Sequence, residues 1–173
     1  MKFKVFSYKS VNSTNNTAIR LIKKNISQGI VISEIQKKGK GQMGKKWISG
    51  KGNLFISIFF PISKKLNLKK IINKNLNIIK NIMSQIIPYK INIKLPNDIK
   101  ILNKKICGIL QEIIYVNDFK FLIIGIGINI VSSPNFLKYE TTYINKYISK
   151  KIDNNKLLRL IKNNFEKKYE LYI

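Results

Sequence analysis

The chain has 173 residues, 45% of them hydrophobic, which is enough for one domain with a well-packed core. It contains no histidine and a single cysteine, Cys107, so histidine-based triads, histidine metal sites and intrachain disulfides are excluded and a reducing compartment is expected. Its 33 Lys+Arg against 8 Asp+Glu give a formal charge of +25, which by itself suits a phosphate-rich or carboxylate-rich partner.

The positive charge also has a simpler interpretation, which we favour. Arg20 and Arg159 are the only arginines, and the lysines are spread along the whole chain beside abundant isoleucine and asparagine. AT-rich codons encode these three residue types, so a biased base composition explains much of the charge. The first nine residues lack the apolar core of a secretory signal, and no uncharged run approaches the ~18 residues that cross a bilayer. We therefore expect a cytoplasmic protein with no nucleic-acid or membrane partner.

The first part of the chain predicts two strands separated by a short helix. The apolar residues of segment 3–8 are typical of an opening strand. Ser13 or Asn12 offers an N-cap to a helix that starts near Asn15 and ends at Gly29. Residues 30–36 then form a strand that begins with β-branched side chains.

The rest of the chain predicts a mostly antiparallel sheet covered by helices. After a basic, flexible loop, the periodicity predicts a strand at 53–61, a long amphipathic helix at 68–87, strands at 91–95, 99–102, 106–116 and 119–130, and a closing helix from Asp153 that includes Tyr172. Strands joined by tight turns are antiparallel. The expected fold is one α+β domain over residues 1–173, with a mostly antiparallel mixed sheet flanked by helices.

Two segments in the first half have the character of ligand-binding turns. Ser13-Thr14-Asn15 places hydroxyls and an amide at a helix N-terminus, where they could bind a polar ligand, but taken alone the tripeptide favours an ordinary capping motif. Segment 36–47 combines glycines with lysines, which suits a phosphate-bearing ligand and a solvated basic loop equally well. The spacing of these glycines matches neither a P-loop nor a dinucleotide fingerprint.

Two further segments follow in the second half. Pro96-Asn97-Asp98 leads into Lys104-Lys105 on the next strand, so that a carboxylate and an ammonium group could face one site; a turn and a surface lysine are the alternative. Gly125 and Gly127 interrupt an apolar strand and indicate a bulge, a close backbone approach, or tight packing against a helix. Asn129 ends this strand with an amide that we expect to be free.

In their order and intervals, these segments resemble the biotin–protein ligase family across nearly the whole chain. The family pattern reads S-T-N, Q-x-x-G-R-G-R-x-G-R-x-W, W-P-N-D, K-x-x-G-I-L-x-E and G-x-G-x-N. The matching residues here are Ser13, Thr14 and Asn15; Gln36, Gly39, Lys40, Gly41, Gly44, Lys45 and Trp47; Pro96, Asn97 and Asp98; Lys105, Gly108, Ile109, Leu110 and Glu112; and Gly125, Gly127 and Asn129.

The resemblance implies an activity and its substrates. The expected enzyme forms biotinoyl-AMP from biotin and ATP with Mg²⁺, and then transfers biotin to a lysine of the biotin carboxyl carrier protein of acetyl-CoA carboxylase. The expected fold is the catalytic core shared with class II aminoacyl-tRNA synthetases. The expected domain content is the catalytic domain alone, without a DNA-binding domain or a C-terminal β-barrel-like domain, so no repressor activity is expected. A monomer and a homodimer both remain open.

The resemblance also implies residue roles. Biotin is expected at Ser13, Thr14, Asn15, Gln36, Gly39, Lys40, Gly41, Lys105 and Gly108. ATP or the adenylate is expected at Lys40, Gln42, Lys45, Trp47, Asn97, Lys105 and Asn129. Lys105, Asp98 and Lys40 are the expected catalytic residues, and no protein ligand is assigned to the metal.

Departures from the family pattern and rival functions qualify this interpretation. Lys40 and Lys45 stand where arginines are usual, and Gln42 replaces a basic residue, so we expect weaker retention of the adenylate. Leu95 replaces the tryptophan before Pro-Asn-Asp and keeps that position apolar. The alternatives are a lipoate or octanoyl ligase of the same superfamily, a basic nucleic-acid-binding module, and a ligase that has lost activity.

Overall fold

A seven-stranded sheet in the order β1-β2-β3-β7-β6-β5-β4 organises the chain in a computed structural model that describes residues 1–64, 67–135 and 139–169. Its strands are β1 (Val5–Val11), β2 (Gly29–Gln36), β3 (Leu54–Ile62), β4 (Ile91–Lys94), β5 (Asp98–Ile101), β6 (Lys104–Val116) and β7 (Phe119–Ile128). Its helices are α1 (Thr14–Lys23), α2 (Leu68–Ser84) and α3 (Asn154–Tyr169), with short 3₁₀ turns at Gln42–Gly44 and Ile144–Lys146.

The pairing confirms the predicted fold class. β1 and β2 are parallel because α1 carries the chain back across the sheet between them, and every other neighbouring pair is antiparallel. The tight turn at Asn117-Asp118, with both residues at positive φ, joins β6 to β7 as predicted. The result is the mixed, mostly antiparallel sheet flanked by helices that the sequence indicated.

The two faces of the sheet have different partners. Alternate residues of β3, including Ile58 and Phe60, pack with α2 and α3 in the larger core, whereas Phe59 packs with Ala18 and Ile22 of α1 in a smaller cluster. Strands covered on both faces read as continuous apolar runs, which explains the composition of β3 and β7. None of the described helices combines the length and the apolarity needed to cross a bilayer.

Several element boundaries differ from the sequence prediction. α1 ends at Lys23 rather than at Gly29, because Asn25 adopts a left-handed φ of 63° and the Ile26 N–H bonds back to the Leu21 carbonyl. β1 continues to Val11, since its parallel partner β2 supplies hydrogen bonds along that whole length.

The two long helices also end earlier than expected. α2 stops at Ser84 instead of residue 87. α3 is described up to Tyr169, and the predicted contribution of Tyr172 lies outside the described residues.

Glu166 of α3 ties the N-terminus to the closing helix. Its carboxylate accepts a hydrogen bond of 2.7 Å from the Phe3 backbone N–H and another of 2.7 Å from Lys162, and Lys2 lies 3.8 Å away. Burial alone raises the pKa of this carboxyl, but the hydrogen bonds from Lys162 and Phe3 and the charges of the two lysines outweigh it, so the pKa is lowered.

A pH-dependent stability follows from this carboxylate. Because the folded pKa is depressed, its stabilisation is present above the ordinary glutamate value of about 4.3 and is lost as the pH falls through the folded pKa. We expect Glu166→Gln to lower the free energy of unfolding by about 1–2 kcal/mol at pH 7, and the difference from wild type to shrink below about pH 4.

Urea unfolding at pH 7 and pH 3.5 measures this difference. Glu140→Gln is the matched control, because Glu140 is 70% exposed and pairs with Lys104 at 3.1 Å, so its loss costs less than about 0.5 kcal/mol. Equal effects of the two substitutions at pH 7 would contradict the assignment.

Candidate functional site

A cavity of about 250 Å³ opens where the start of α1, the basic loop of residues 37–52, the turn between β4 and β5, and the glycines of β6 and β7 meet. It gathers most of the predicted site residues: Ser13, Thr14, Asn15, Gln36, Lys40, Gly41, Gln42, Lys45, Trp47, Asn97, Asp98, Lys105 and Gly108. Gly39 and Asn129 are not among the described residues that line it. Segments far apart in sequence therefore form one site, as their resemblance to linked motifs suggested.

Thr14, Asn15 and Gln36 line the polar end of the cavity, and Ser57 and Glu112, which do not line it, contact Asn15. We call these five residues the floor; Thr14, Asn15 and Ser57 are buried, and Gln36 and Glu112 are partly buried. The Gln36 side-chain carbonyl accepts hydrogen bonds from the Thr14 N–H at 2.8 Å and from the Thr14 hydroxyl at 3.1 Å. Ser57 Oγ lies 2.8 Å from Thr14 Oγ1 and 2.5 Å from Asn15 Oδ1, and Asn15 Nδ2 donates to Glu112 at 2.5 Å.

The simple capping interpretation of Ser13-Thr14-Asn15 is therefore incomplete. Ser13 occupies the N-cap position, but its side chain makes no capping hydrogen bond to the helix. The Thr14 N–H is satisfied instead by the side chain of Gln36 from β2. Ser57 was missed as a functional residue, because a serine in an apolar strand carries no signal that it meets Asn15. Glu112 was named only as a match to the family pattern, and its contact with Asn15 was not predicted.

The glycines of β6 and β7 seat two side chains against the sheet. A Cβ on Gly127 would lie 2.4 Å from Trp47 Cε2, and one on Gly108 would lie 2.6 Å from Trp47 Cζ3. A Cβ on Gly125 would lie 2.3 Å from Asn15 Oδ1. Both the close approach and the tight packing against a helix are thus correct, since Gly125 packs against Asn15 of α1 and the other two glycines against Trp47. The pairing of β6 with β7 runs through these glycines in continuous register, without a bulge.

The basic loop closes on itself as a small hairpin beside the cavity. The Trp47 N–H donates to the Gly39 carbonyl at 2.9 Å, and the Gly41 N–H donates to the Lys45 carbonyl at 2.7 Å. Gly39 thus holds Trp47 through its backbone instead of lining the cavity. The Lys40 ammonium lines the cavity and donates to Asn16 Oδ1 at 2.8 Å. Flexibility of the loop remains a prediction.

Lys105 and Asp98 form an ion pair at the centre of the site. Lys105 Nζ lies 2.8 Å from Asp98 Oδ1, since the two residues sit on the paired strands β6 and β5, as the sequence suggested. The same ammonium lies 5.3 Å from the ring centroids of Trp47 and Tyr139. Cys107 lies on the same strand but is fully buried, and burial raises the pKa of its thiol, so it stays protonated and is no nucleophile.

The charge around the cavity is strongly one-sided. Its described lining includes six lysines, Lys40, Lys45, Lys46, Lys94, Lys100 and Lys105, and Asp98 is the one carboxylate among those lining residues. Clustered ammonium groups favour a polyanionic ligand such as a triphosphate. Lys94, Lys100 and Tyr139 were not selected from the sequence, because lysines are frequent everywhere and Tyr139 arrives from a loop distant in sequence.

The expectation that the side-chain amide of Asn129 is free was wrong. Its Nδ2 donates to the Thr142 carbonyl at 3.0 Å, and the residue is 2% exposed. It lines a separate small cavity beyond Lys105, together with Trp47 and Tyr139. Asn129 thus holds the loop that carries Thr142 against the end of β7, because a buried amide takes the nearest backbone partner.

Comparisons with known proteins agree with the geometry. The model of the biotin/lipoate A/B protein ligase family matches residues 7–129. The bifunctional ligase/repressor BirA of Bacillus subtilis (strain 168) is 32% identical over 174 residues, an alignment that covers 94% of this chain and 53% of BirA. This chain thus spans about half the length of that relative.

Solved structures give the same result. Biotin protein ligase from Aquifex aeolicus, in complex with biotin and ATP, superimposes with a TM-score of 0.82 at 27% identity and covers 96% of this chain and 70% of that one. An archaeal lipoate protein ligase from Thermoplasma acidophilum superimposes with a TM-score of 0.68 at 9% identity, over 98% of this chain and 84% of that one. The second match concerns the fold alone.

The position of the Trp47 ring against Gly108 and Gly127 can be tested directly, because Trp47 is the single tryptophan of the chain. In Gly127→Ala the new methyl group would overlap the indole, so we expect Trp47 to be displaced towards solvent and the protein to lose about 1–3 kcal/mol of stability. The measurement is tryptophan emission and its quenching by acrylamide, with a red shift and stronger quenching expected.

Gly41→Ala is the matched control for this test. Its Cβ would come no closer than 3.3 Å to Lys45, and Gly41 has an extended backbone that alanine adopts. Unchanged emission in Gly127→Ala would show that the indole does not occupy this position.

Proposed function

Because this chain belongs to the biotin/lipoate A/B protein ligase family, we propose that it is a biotin–protein ligase. It forms biotinoyl-AMP from biotin and ATP and then transfers the biotinoyl group to a lysine of a carrier protein. The proposal commits to biotin within a family whose members also include lipoate ligases, and the floor of the cavity supports that choice.

The observation that carries the proposal is a shortage of protons in the floor. Four oxygen atoms, Gln36 Oε1, Thr14 Oγ1, Ser57 Oγ and Asn15 Oδ1, are joined by three contacts of 3.1, 2.8 and 2.5 Å. Only the two hydroxyl groups supply protons to these contacts. Such a floor is rich in acceptor lone pairs and suits a ligand with N–H donors. The ureido ring of biotin has two such groups, whereas a lipoyl or octanoyl chain has none.

In the first step, a carboxylate oxygen of biotin attacks the α-phosphorus of ATP, and pyrophosphate leaves. Lys105 stabilises the negative charge that develops at the phosphorus, because its ammonium lies among the cavity residues in a confined, low-exposure position. The other lysines of the cavity hold the phosphates. Lys40, named above as catalytic, acts here by binding the phosphate or the biotin carboxylate.

Magnesium belongs to the nucleotide in this scheme. The described residues contain no group of three acidic, cysteine or histidine side chains, and Asp98 is the carboxylate at the cavity. This donor set fits an ion that is held mainly by ATP phosphates and water, with Asn97 and Asp98 as the protein oxygens available to it. The ion would supply further charge neutralisation to the triphosphate.

In the second step, the amine of the carrier lysine attacks the carbonyl carbon of the mixed anhydride, and AMP leaves as the amide forms. We assign to Asp98, the carboxylate among the cavity lining residues, the role of accepting the proton that the incoming ammonium group loses before it attacks. Trp47 and the loop hairpin cover the glycine strands on one side of the cavity and limit the access of water to the adenylate.

The proposed acceptor is the biotin carboxyl carrier protein of acetyl-CoA carboxylase. A chain with a formal charge of +25 would attract an acidic carrier over a long range, and this attraction would weaken as salt is added. Incubating the protein with ATP, magnesium, carrier and either biotin, lipoate or octanoate tests the proposal. Labelling with biotin supports it, and labelling only with lipoate or octanoate would replace it with the rival ligase.

Lys105→Met tests the role of the central ammonium. We expect pyrophosphate release to fall about 100-fold to 1,000-fold, with a much smaller change in the dissociation constant for biotin alone. Lys104→Met is the matched control, because Lys104 is the adjacent residue but pairs with Glu140 and is not among the cavity lining residues. A similar loss in both variants, or none in Lys105→Met, would remove Lys105 from the mechanism.

Gln42→Arg tests the departure in the basic loop. Gln42 lines the cavity at the start of the 3₁₀ turn, where an arginine would add a bidentate phosphate donor. We expect the adenylate to dissociate about 10-fold more slowly from this variant, as measured by release of labelled biotinoyl-AMP. An unchanged rate would show that Gln42 does not limit retention.

A further inference from the structure

We propose that Lys100 binds the β- and γ-phosphates of ATP beside Lys105, and that the two ammonium groups together hold the pyrophosphate as it leaves. The proposal rests on the function given above and deepens it, because it assigns one lysine of the cavity to one part of the nucleotide. Lys100 lies outside the motifs that resemble the ligase family, so this role is inferred from its position in the structure.

Lys100 and Lys105 differ from the other lysines of the cavity in their burial. The described lining contains six lysines; these two are partly buried, and the other four are exposed. An exposed lysine keeps its ammonium group in water and carries little information about a ligand. A partly buried ammonium group loses some of its hydration and therefore needs a negative partner.

The sheet places both lysines on the face that lines the cavity. On β5, Lys100 lines the cavity whereas Ile99 belongs to the larger core, as the alternation of side chains along a strand requires. Lys105 of β6 is the direct cross-strand partner of Lys100, and the pairing register skips Ile106. This irregularity lets Lys105 line the same cavity as Gly108, which follows three residues later.

Only one of the two ammonium groups has a negative partner among the described residues. Lys105 Nζ lies 2.8 Å from Asp98 Oδ1, whereas no ion pair or hydrogen bond joins the Lys100 side chain to any other described residue. The residue opposite Lys100 on its other side is Asn92 of β4, which is neutral. Like charges directly opposite each other destabilise a sheet, so an anion between these two lysines would stabilise the empty arrangement.

The position of Lys100 suits the part of ATP that leaves. Lys105 acts at the α-phosphorus in the mechanism given above, and the next ammonium group on the same face suits the next phosphates of the nucleotide. When the carboxylate oxygen of biotin attacks the α-phosphorus, the bond to the oxygen that bridges to the β-phosphate breaks, and its electron pair stays on pyrophosphate. Lys100 stabilises the charge that develops there. The second step does not involve these phosphates.

The two half-reactions separate this role from a general effect on the cavity. In Lys100→Met, we expect the KM for ATP in adenylate formation and the KM for pyrophosphate in the reverse reaction each to rise about 10-fold, because a charge-assisted contact is lost. Transfer from preformed biotinoyl-AMP to the carrier should stay within about twofold of wild type. Lys100→Arg keeps the charge and should hold both KM values within about threefold of wild type.

Lys104→Met is the matched control, because it removes a positive charge next to Lys105 without touching the cavity. Lys104 pairs with Glu140 at 3.1 Å and is not among the described residues that line the cavity. We expect both KM values to be unchanged in this variant. An equal rise in Lys100→Met and Lys104→Met would mean that net charge, and not the position of Lys100, attracts the nucleotide, and it would overturn the proposal.

The stability of the empty protein gives a second readout that does not depend on activity. Because Lys100 lies opposite Lys105 without a carboxylate of its own, Lys100→Met should raise the urea midpoint of the ligand-free protein at low salt, and this gain should shrink at high salt. Added pyrophosphate should raise the midpoint of wild type more than that of Lys100→Met. A purely structural role for Lys100 would instead lower the midpoint of the ligand-free variant.

The outcomes distinguish this inference from the proposed function. Wild type that forms no biotinoyl-AMP would overturn both. Wild type that forms it, with unchanged KM values for ATP and pyrophosphate in Lys100→Met, would overturn the role of Lys100 alone. The same conclusion would follow if transfer from preformed adenylate slowed as much as adenylate formation, or if Lys100→Met were less stable than wild type or did not fold.

Discussion

Three glycines on the neighbouring strands β6 and β7 leave a trough in the middle of the sheet, and both halves of the site are held in it. Gly125 gives Asn15 its place against the strand, and Gly108 and Gly127 give Trp47 its place. Any side chain at these positions would push α1 or the basic loop away from the sheet. The distance between the polar floor and the lysines around Lys105 therefore depends on these three positions being glycine.

A chain of hydrogen-bonded polar side chains supports β6 on the opposite face of the sheet. The Tyr169 hydroxyl of α3 donates to Asn75 Oδ1 of α2 at 2.6 Å, and Asn75 Nδ2 donates to Gln111 Oε1 at 2.7 Å. Gln111 directly precedes Glu112, whose side chain binds Asn15 on the other face. Polar groups that are hydrogen-bonded to one another in the interior favour one arrangement of the elements that carry them. The strand that positions the floor is thus tied to two helices.

The overall charge of the chain and the local charge around the cavity have different explanations. We interpret most of the overall excess of lysine as a consequence of biased base composition. Its local arrangement is more specific, because six lysines converge on a cavity whose described lining holds one carboxylate. Lysine is a point charge without the planar fork of arginine, so a site built from lysines attracts phosphate while orienting it less strictly. This difference is the physical basis for the expected weak retention of the adenylate.

The sequence was sufficient to predict most strands and helices and the fold class, because hydrophobic period is a local property of the chain. The resemblance to linked family motifs indicated most of the residues that line the cavity. The sequence misplaced the end of α1, since it could not show that Asn25 rather than Gly29 takes the left-handed conformation. It also left the glycines ambiguous. Only the tertiary structure placed Ser57 and Glu112 beside Asn15, occupied the amide of Asn129 with the Thr142 carbonyl, and brought Tyr139 to Lys105. These contacts join residues far apart in the chain, and their hydrogen bonds depend on distances that no sequence pattern contains.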